Sequence, residues 1–142
     1  MSETLIGGKP AFTQCLPRVA ESARAGRLLV DRALVHWGLG DLTDSAHLVV
    51  SELVTNAVEH GRRETMRVTV TRLDRTVVQV AVVDLSRLLP SIRRRPVADL
   101  AESGRGLFIV DALCPGRWGV EPLRWGKRVW ADLDAAAEAP GE

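Results

Sequence analysis

The chain has no tyrosine, two phenylalanines and two cysteines among its 142 residues. The cysteines, Cys15 and Cys114, lie far apart, so they form no metal-ligand cluster, and a reducing, cytosolic compartment is the simpler reading. No apolar run is long enough to cross a bilayer. Met1 to Lys9 is too short and mixed to read as a signal peptide. A net charge of +1 gives no overall pull toward nucleic acid. Lysine is scarce: only Lys9 and Lys127 interrupt an otherwise all-arginine basic set, a bias that points to a GC-rich genome rather than to a function. What is abundant is apolar: hydrophobic residues make up 46%, enough for the core of one ordinary domain and too many for a disordered chain.

Hydrophobic spacing orders the chain. Residues 1–9 read as a flexible leader, 10–134 as the domain and 135–142 as a fraying tail. Ala11 to Leu16 reads as a strand, and Pro17 suits a first helical turn. Val19, Ala23, Leu28, Leu29, Ala33, Leu34 and Trp37 then recur at helical spacing until Gly38-Leu39-Gly40 stops them. A second helix, capped by Asp41 or Thr43, runs to His60 before Gly61. Met66 to Leu73 alternates as a strand, Asp74-Arg75 makes a tight turn, and Thr76 to Asp84, the most β-rich stretch of the chain, reads as the next strand. Residues 85–103, with two prolines and the run Arg93-Arg94-Arg95, read as a long loop or lid. A short helix from Gly104 to Leu113 and two closing strands, Arg117 to Glu121 and Arg128 to Leu133, complete the order. It predicts an α+β two-layer sandwich with helices on one face of a single sheet.

Chemistry concentrates in three places. Glu52 and Asn56, four apart, share one face of a largely apolar helix, and His60 follows one step on. A carboxylate there can orient or deprotonate a hydroxyl, and an amide oxygen can ligate Mg²⁺; the alternative is two solvated residues at the edge of an apolar stripe. His60 fits a helix C-terminus, where the dipole favours a cation. Asp84 has the parity of Val78, Val80 and Val82, so it faces the side of those valines at a strand end. Such a carboxylate can accept from an exocyclic amine, although polar strand ends are common. Gly104-Arg105-Gly106-Leu107 opens a helix whose free N–H groups suit an anion, Arg105 adding charge. The plain alternative is a loop-to-helix turn. Arg93-Arg94-Arg95 reads as a solvated run, and Trp118, Trp125 and Trp130 as packing for the last strands.

The segment Ser51-Glu52-Leu53-Val54-Thr55-Asn56-Ala57-Val58-Glu59-His60-Gly61 resembles the N-box of the GHKL ATPases. Asp84 resembles the aspartate of that superfamily's G1 box, and Glu102-Ser103-Gly104-Arg105-Gly106-Leu107 its G2 box. The three occur in family order, with a lid between the last two. The resemblance spans about Glu21 to Leu133 and is nearest to the short, stand-alone anti-sigma-factor serine/threonine kinases. It departs at Ser86, where the G1 box usually carries glycine, and at Arg128, where many relatives carry threonine near adenine. The resemblance implies the Bergerat ATP-binding fold with one mixed, mostly antiparallel sheet, and Mg²⁺ and ATP as cofactors. It implies Asn56 on Mg²⁺, Glu52 as the catalytic carboxylate and Asp84 on adenine, with Gly104, Arg105, Gly106 and Leu107 at the phosphates. A sigma factor and a serine-bearing anti-anti-sigma protein of STAS type are the implied partners, without direct nucleic-acid or membrane contact, and relatives are often homodimers. Two alternatives stand beside the kinase: an ATP-binding interaction module without turnover, and a scaffold that has lost nucleotide.

Overall fold

In the computed structural model, residues 2–61, 64–85 and 105–137 are described. Among these residues, six strands and three α-helices follow in the order β1 (Thr4–Ile6), β2 (Lys9–Pro17), α1 (Ser22–Trp37), α2 (Thr43–His60), β3 (Thr65–Arg72), β4 (Val77–Leu85), α3 (Arg105–Leu113), β5 (Trp118–Leu123) and β6 (Gly126–Asp134). A short 3₁₀ turn, Gly40–Leu42, leads into α2. The strands form one open sheet in the order β1-β2-β3-β4-β6-β5, with every described pair antiparallel.

The rows across the sheet explain the layers. Phe12, Val70, Val80 and Ala131 lie in one transverse row, with Val68, Val82 and Val129 in the next. All are buried, and they meet Leu29, Val30, Ala33 and Leu34 of α1 and Val49, Val50, Leu53 and Val54 of α2. α1 packs over β2 and β3, α2 over β4 and β6, and α3 lies against α2. Alternation of period two in the strands and 3.6 in the helices supplies both apolar faces, so the two-layer sandwich expected from the sequence forms.

Helix ends differ from the sequence reading in detail. Pro17 ends β2 opposite Thr65, and the Arg18 N–H carries on to the Glu64 carbonyl at 2.7 Å, so α1 begins later, at Ser22. The Ser22 hydroxyl donates to the Pro17 carbonyl at 2.6 Å and closes that corner. α1 stops in a Schellman turn at Gly38, where the Leu39 N–H reaches the Leu34 carbonyl at 2.9 Å. Thr43 begins α2, and its hydroxyl donates back to the Gly40 carbonyl at 2.7 Å instead of capping forward.

At both termini the described residues carry regular contacts. Within the leader, Thr4–Ile6 pairs with β2 through a two-residue turn at Gly7 and Gly8, both at positive φ (59° and 79°), which glycine adopts without strain. The Trp37 indole N–H donates to Glu3 Oε2 at 2.7 Å and ties this edge to α1. In the tail, residues 135–137 make a turn anchored by the Ala135 N–H on the Thr76 carbonyl at 2.8 Å.

Candidate functional site at one end of the interlayer

α2 is the central helix, and its flanks have different neighbours. On the α1 side, His47 Nε2 lies 2.5 Å from Asp31 Oδ1, and Arg27 Nη1 donates to Ser51 Oγ at 3.0 Å. Gly26 brings the helices together there: a Cβ on it would stand 3.1 Å from Val50. At 3.6 residues per turn, positions 47, 50, 51 and 54 form that flank, and Glu52 and Asn56 fall on the opposite one, where α3 packs. Asn56 is 4% exposed, and its Oδ1 has no hydrogen-bond partner among the described residues. A buried amide oxygen left without a donor costs about 1–3 kcal/mol and calls for an explanation. Glu52 is half-buried. His60 ends α2, with Nε2 3.9 Å from Glu59 Oε1.

Asp84 is where its parity put it. It lies on the helix-facing side of β4, 5% exposed, in a transverse row with Leu16, Met66 and Lys127. Lys127 Nζ stands 3.4 Å from Asp84 Oδ2, the two side chains 14% and 6% exposed. The C-terminus of α2 comes down onto this row. A Cβ built on Gly61 would stand 2.4 Å from the Ala57 carbonyl oxygen, 2.6 Å from Arg18 Cδ and 3.0 Å from Asp84 Oδ1. Gly61 has φ −73°, which any residue adopts, so it is glycine for lack of space rather than for backbone freedom. Arg18 Nη1 donates to the Val58 carbonyl at 2.6 Å, a cation at the negative end of the helix dipole.

The connection that leaves β4 after Leu85 re-enters at Arg105, so Asp84 and the start of α3 bracket one chain segment. Arg105 and Gly106 form the first turn of α3, and Leu107 is buried in the core at 3% exposure. Gly104, Ser86, the Arg93-Arg94-Arg95 run and the rest of the lid expected over 85–103 beyond Leu85 lie outside the described residues. Among the described residues, no three His, Cys, Asp or Glu gather as a metal cluster. A single hard oxygen from Asn56 suits Mg²⁺, which keeps several waters and takes most of its remaining ligands from phosphates.

One reading of the sequence is corrected here. Arg128 does not face the site. It lies opposite Val83 in the β4–β6 register, on the side of the sheet away from α1 and α2, where it donates to Gln79 Oε1 and pairs with Glu121 at 3.4 Å. The departure at Arg128 therefore leaves the interlayer untouched. Lys127 and Arg18 are the site residues the sequence reading missed. The signal for Lys127 was available: Lys127, Val129, Ala131 and Leu133 share one parity, and Arg128 shares the other with Trp130 and Asp132. Arg18 gave no such signal, because only the fold brings it to the end of α2.

An antiparallel sheet backed by helices on one face, with polar side chains gathered at one end between the layers, defines the molecule as a two-layer sandwich with an interlayer site. Residues 16–115 match the histidine kinase-like ATPase domain, and the chain belongs to that family, of GHKL type. It is also 35% identical over 94 residues to the uncharacterized protein SCO4941 of Streptomyces coelicolor, an alignment covering 64% of this chain and 85% of that protein. Family membership implies ATP binding. No helix among the described residues is long and apolar enough to cross a membrane.

Proposed function

We propose that the chain is a Mg²⁺·ATP-binding regulator similar to the anti-sigma-factor serine/threonine kinases. It would phosphorylate a serine on an anti-anti-sigma protein of STAS type, sequester a sigma factor, or do both. The observation that carries the nucleotide part is the buried Oδ1 of Asn56, which has no hydrogen-bond partner among the described residues, on the α3 flank of α2. In this reading Asn56 holds Mg²⁺, Asp84 accepts from the adenine amino group, and the backbone at Gly104, Arg105, Gly106 and Leu107 receives the phosphates. Glu52, one helical turn before Asn56, orients the attacking hydroxyl and takes its proton. Phosphoryl transfer asks mainly for positioning and charge stabilisation, which such a set supplies.

Calorimetric titration with ATP, with and without Mg²⁺, tests the reading. Saturable binding that weakens without Mg²⁺ and is lost in Asn56→Ala and Asp84→Ala supports it; no binding at millimolar ATP refutes it. Incubation with candidate partners then separates the kinase from the interaction module. Glu52→Ala should abolish transfer while keeping nucleotide affinity within a few-fold. Stoichiometric ATP that stays intact with every partner would favour the module.

A further inference from the structure

The end of the site that holds Asp84 contains a second charged side chain. Asp84 and Lys127 are directly opposed in the register of β4 and β6, and both project to the helix side of the sheet. Their 3.4 Å separation is longer than the roughly 2.7–2.9 Å of a closed charge-assisted hydrogen bond. The ammonium therefore keeps donor capacity for a third party. A buried ion pair is at best a weak source of stability, so core packing alone gives little reason to place one here. The residue type also matters. In a chain whose basic residues are almost all arginine, this position carries one of two lysines, a compact point charge with three rotatable donors, whereas a guanidinium fork would tend to engage the carboxylate with two parallel bonds.

A carboxylate only accepts and an ammonium only donates. Side by side, Asp84 and Lys127 present an acceptor next to a donor. Adenine offers the complement: an amino group flanked by a ring nitrogen with a free lone pair. Guanine's N7 and O6 are both acceptors, and its O6 beside N1–H reverses adenine's order, so with the base in the same place either edge would set a lone pair against the Asp84 carboxylate. We propose that Lys127 is a second base-reading residue, donating to the ring nitrogen beside the amino group whose N–H Asp84 accepts. This rests on the ATP reading above and extends it: selectivity for the base belongs to the Asp84–Lys127 pair rather than to Asp84 alone.

The test is calorimetry of Mg²⁺·ATP, of ATP analogues lacking ring nitrogen N1 or N7, and of GTP, against the wild type and Lys127→Met. The wild type should lose about tenfold in affinity for one of the two deaza analogues. Lys127→Met should lose about tenfold for ATP yet bind that analogue as well as it binds ATP, since the partner atom and the donor are then both gone. If both analogues bind the wild type like ATP, or if Lys127→Met binds ATP as tightly as the wild type or more tightly, the role of Lys127 is overturned. Tighter binding of GTP than of ATP overturns the assignment to adenine. Should circular dichroism show that Lys127→Met is unfolded, the analogue series on the wild type decides by itself. Failure of the wild type to bind any nucleotide removes the ATP reading and this inference with it; ATP binding indifferent to the ring nitrogens removes only the inference.

Discussion

Two residues separate what the site needs from what the fold needs. Asn56 is buried with an unsatisfied oxygen, which is a cost to stability and an asset to a ligand. Replacing it by leucine removes the orphaned acceptor and keeps the branched outline of the side chain, with methyl groups in place of the amide oxygen and nitrogen. Asn56→Leu should therefore unfold at a urea midpoint equal to or above that of the wild type, while Mg²⁺-dependent ATP binding disappears. A large loss of stability would mean that the amide holds the helix in place rather than a ligand. Gly61 carries the opposite prediction. A methyl group there meets the Ala57 carbonyl, Arg18 and Asp84 at once. Gly61→Ala should cost about 1–3 kcal/mol of unfolding free energy, read from urea denaturation, because the backbone oxygen cannot step aside as a flexible side chain would. It should weaken ATP binding as well, since Asp84 Oδ1 is one of the atoms displaced.

At the scale of elements, the end of β6 is tied down through one carboxylate. Asp134 is held below its ordinary carboxylate value of 3.8, first by the hydrogen bond from Thr76, then by the Ala136 N–H, with Arg117 adding a weaker attraction. A depressed folded value means the carboxylate adds stability that is complete above the unfolded value and is lost as pH falls through the folded one. Asp134→Asn should accordingly lower the urea midpoint at pH 7, and the gap to the wild type should close below the ordinary carboxylate range. A gap that persists unchanged at pH 2 would assign the effect to packing. The elements themselves were largely legible in the sequence, because Val78, Val80 and Val82 alternate with period two and the α2 stripe repeats with period 3.6. The strand β1 was not legible because Gly7-Gly8 is a hairpin signal only if the three residues before it are granted a strand, and Thr4–Ile6 is barely long enough to show alternation. At the site, Asp84 was placed correctly by parity. Arg128 was misplaced because it was matched to a family position rather than to the alternation of its own strand. Gly61 was expected as a helix stop and is one, yet the crowding that demands glycine depends on Arg18, distant in sequence.

For the whole molecule, the two layers and the site share the same parts. α2 supplies Val49, Val50, Leu53 and Val54 to the core and Asn56 to the site, and β4 supplies Val80 and Val82 to the core and Asp84 to the site. A ligand held between such elements binds the folded chain and has no equivalent in the unfolded one. Mass action then adds about 2.7 kcal/mol at a free concentration a hundred times the Kd. For a domain of this size that is a rise in Tm of several degrees. Mg²⁺·ATP should raise the Tm in proportion to the logarithm of its concentration above the Kd, and ATP in the presence of a chelator should raise it less. Asn56→Leu should keep its own Tm whether Mg²⁺·ATP is present or absent. Lys127→Met should give a smaller rise than the wild type at the same ATP concentration, and an unchanged one with the deaza analogue that lacks its partner nitrogen. An equal rise for all three proteins with Mg²⁺·ATP would place the nucleotide somewhere other than between α2, β4 and β6.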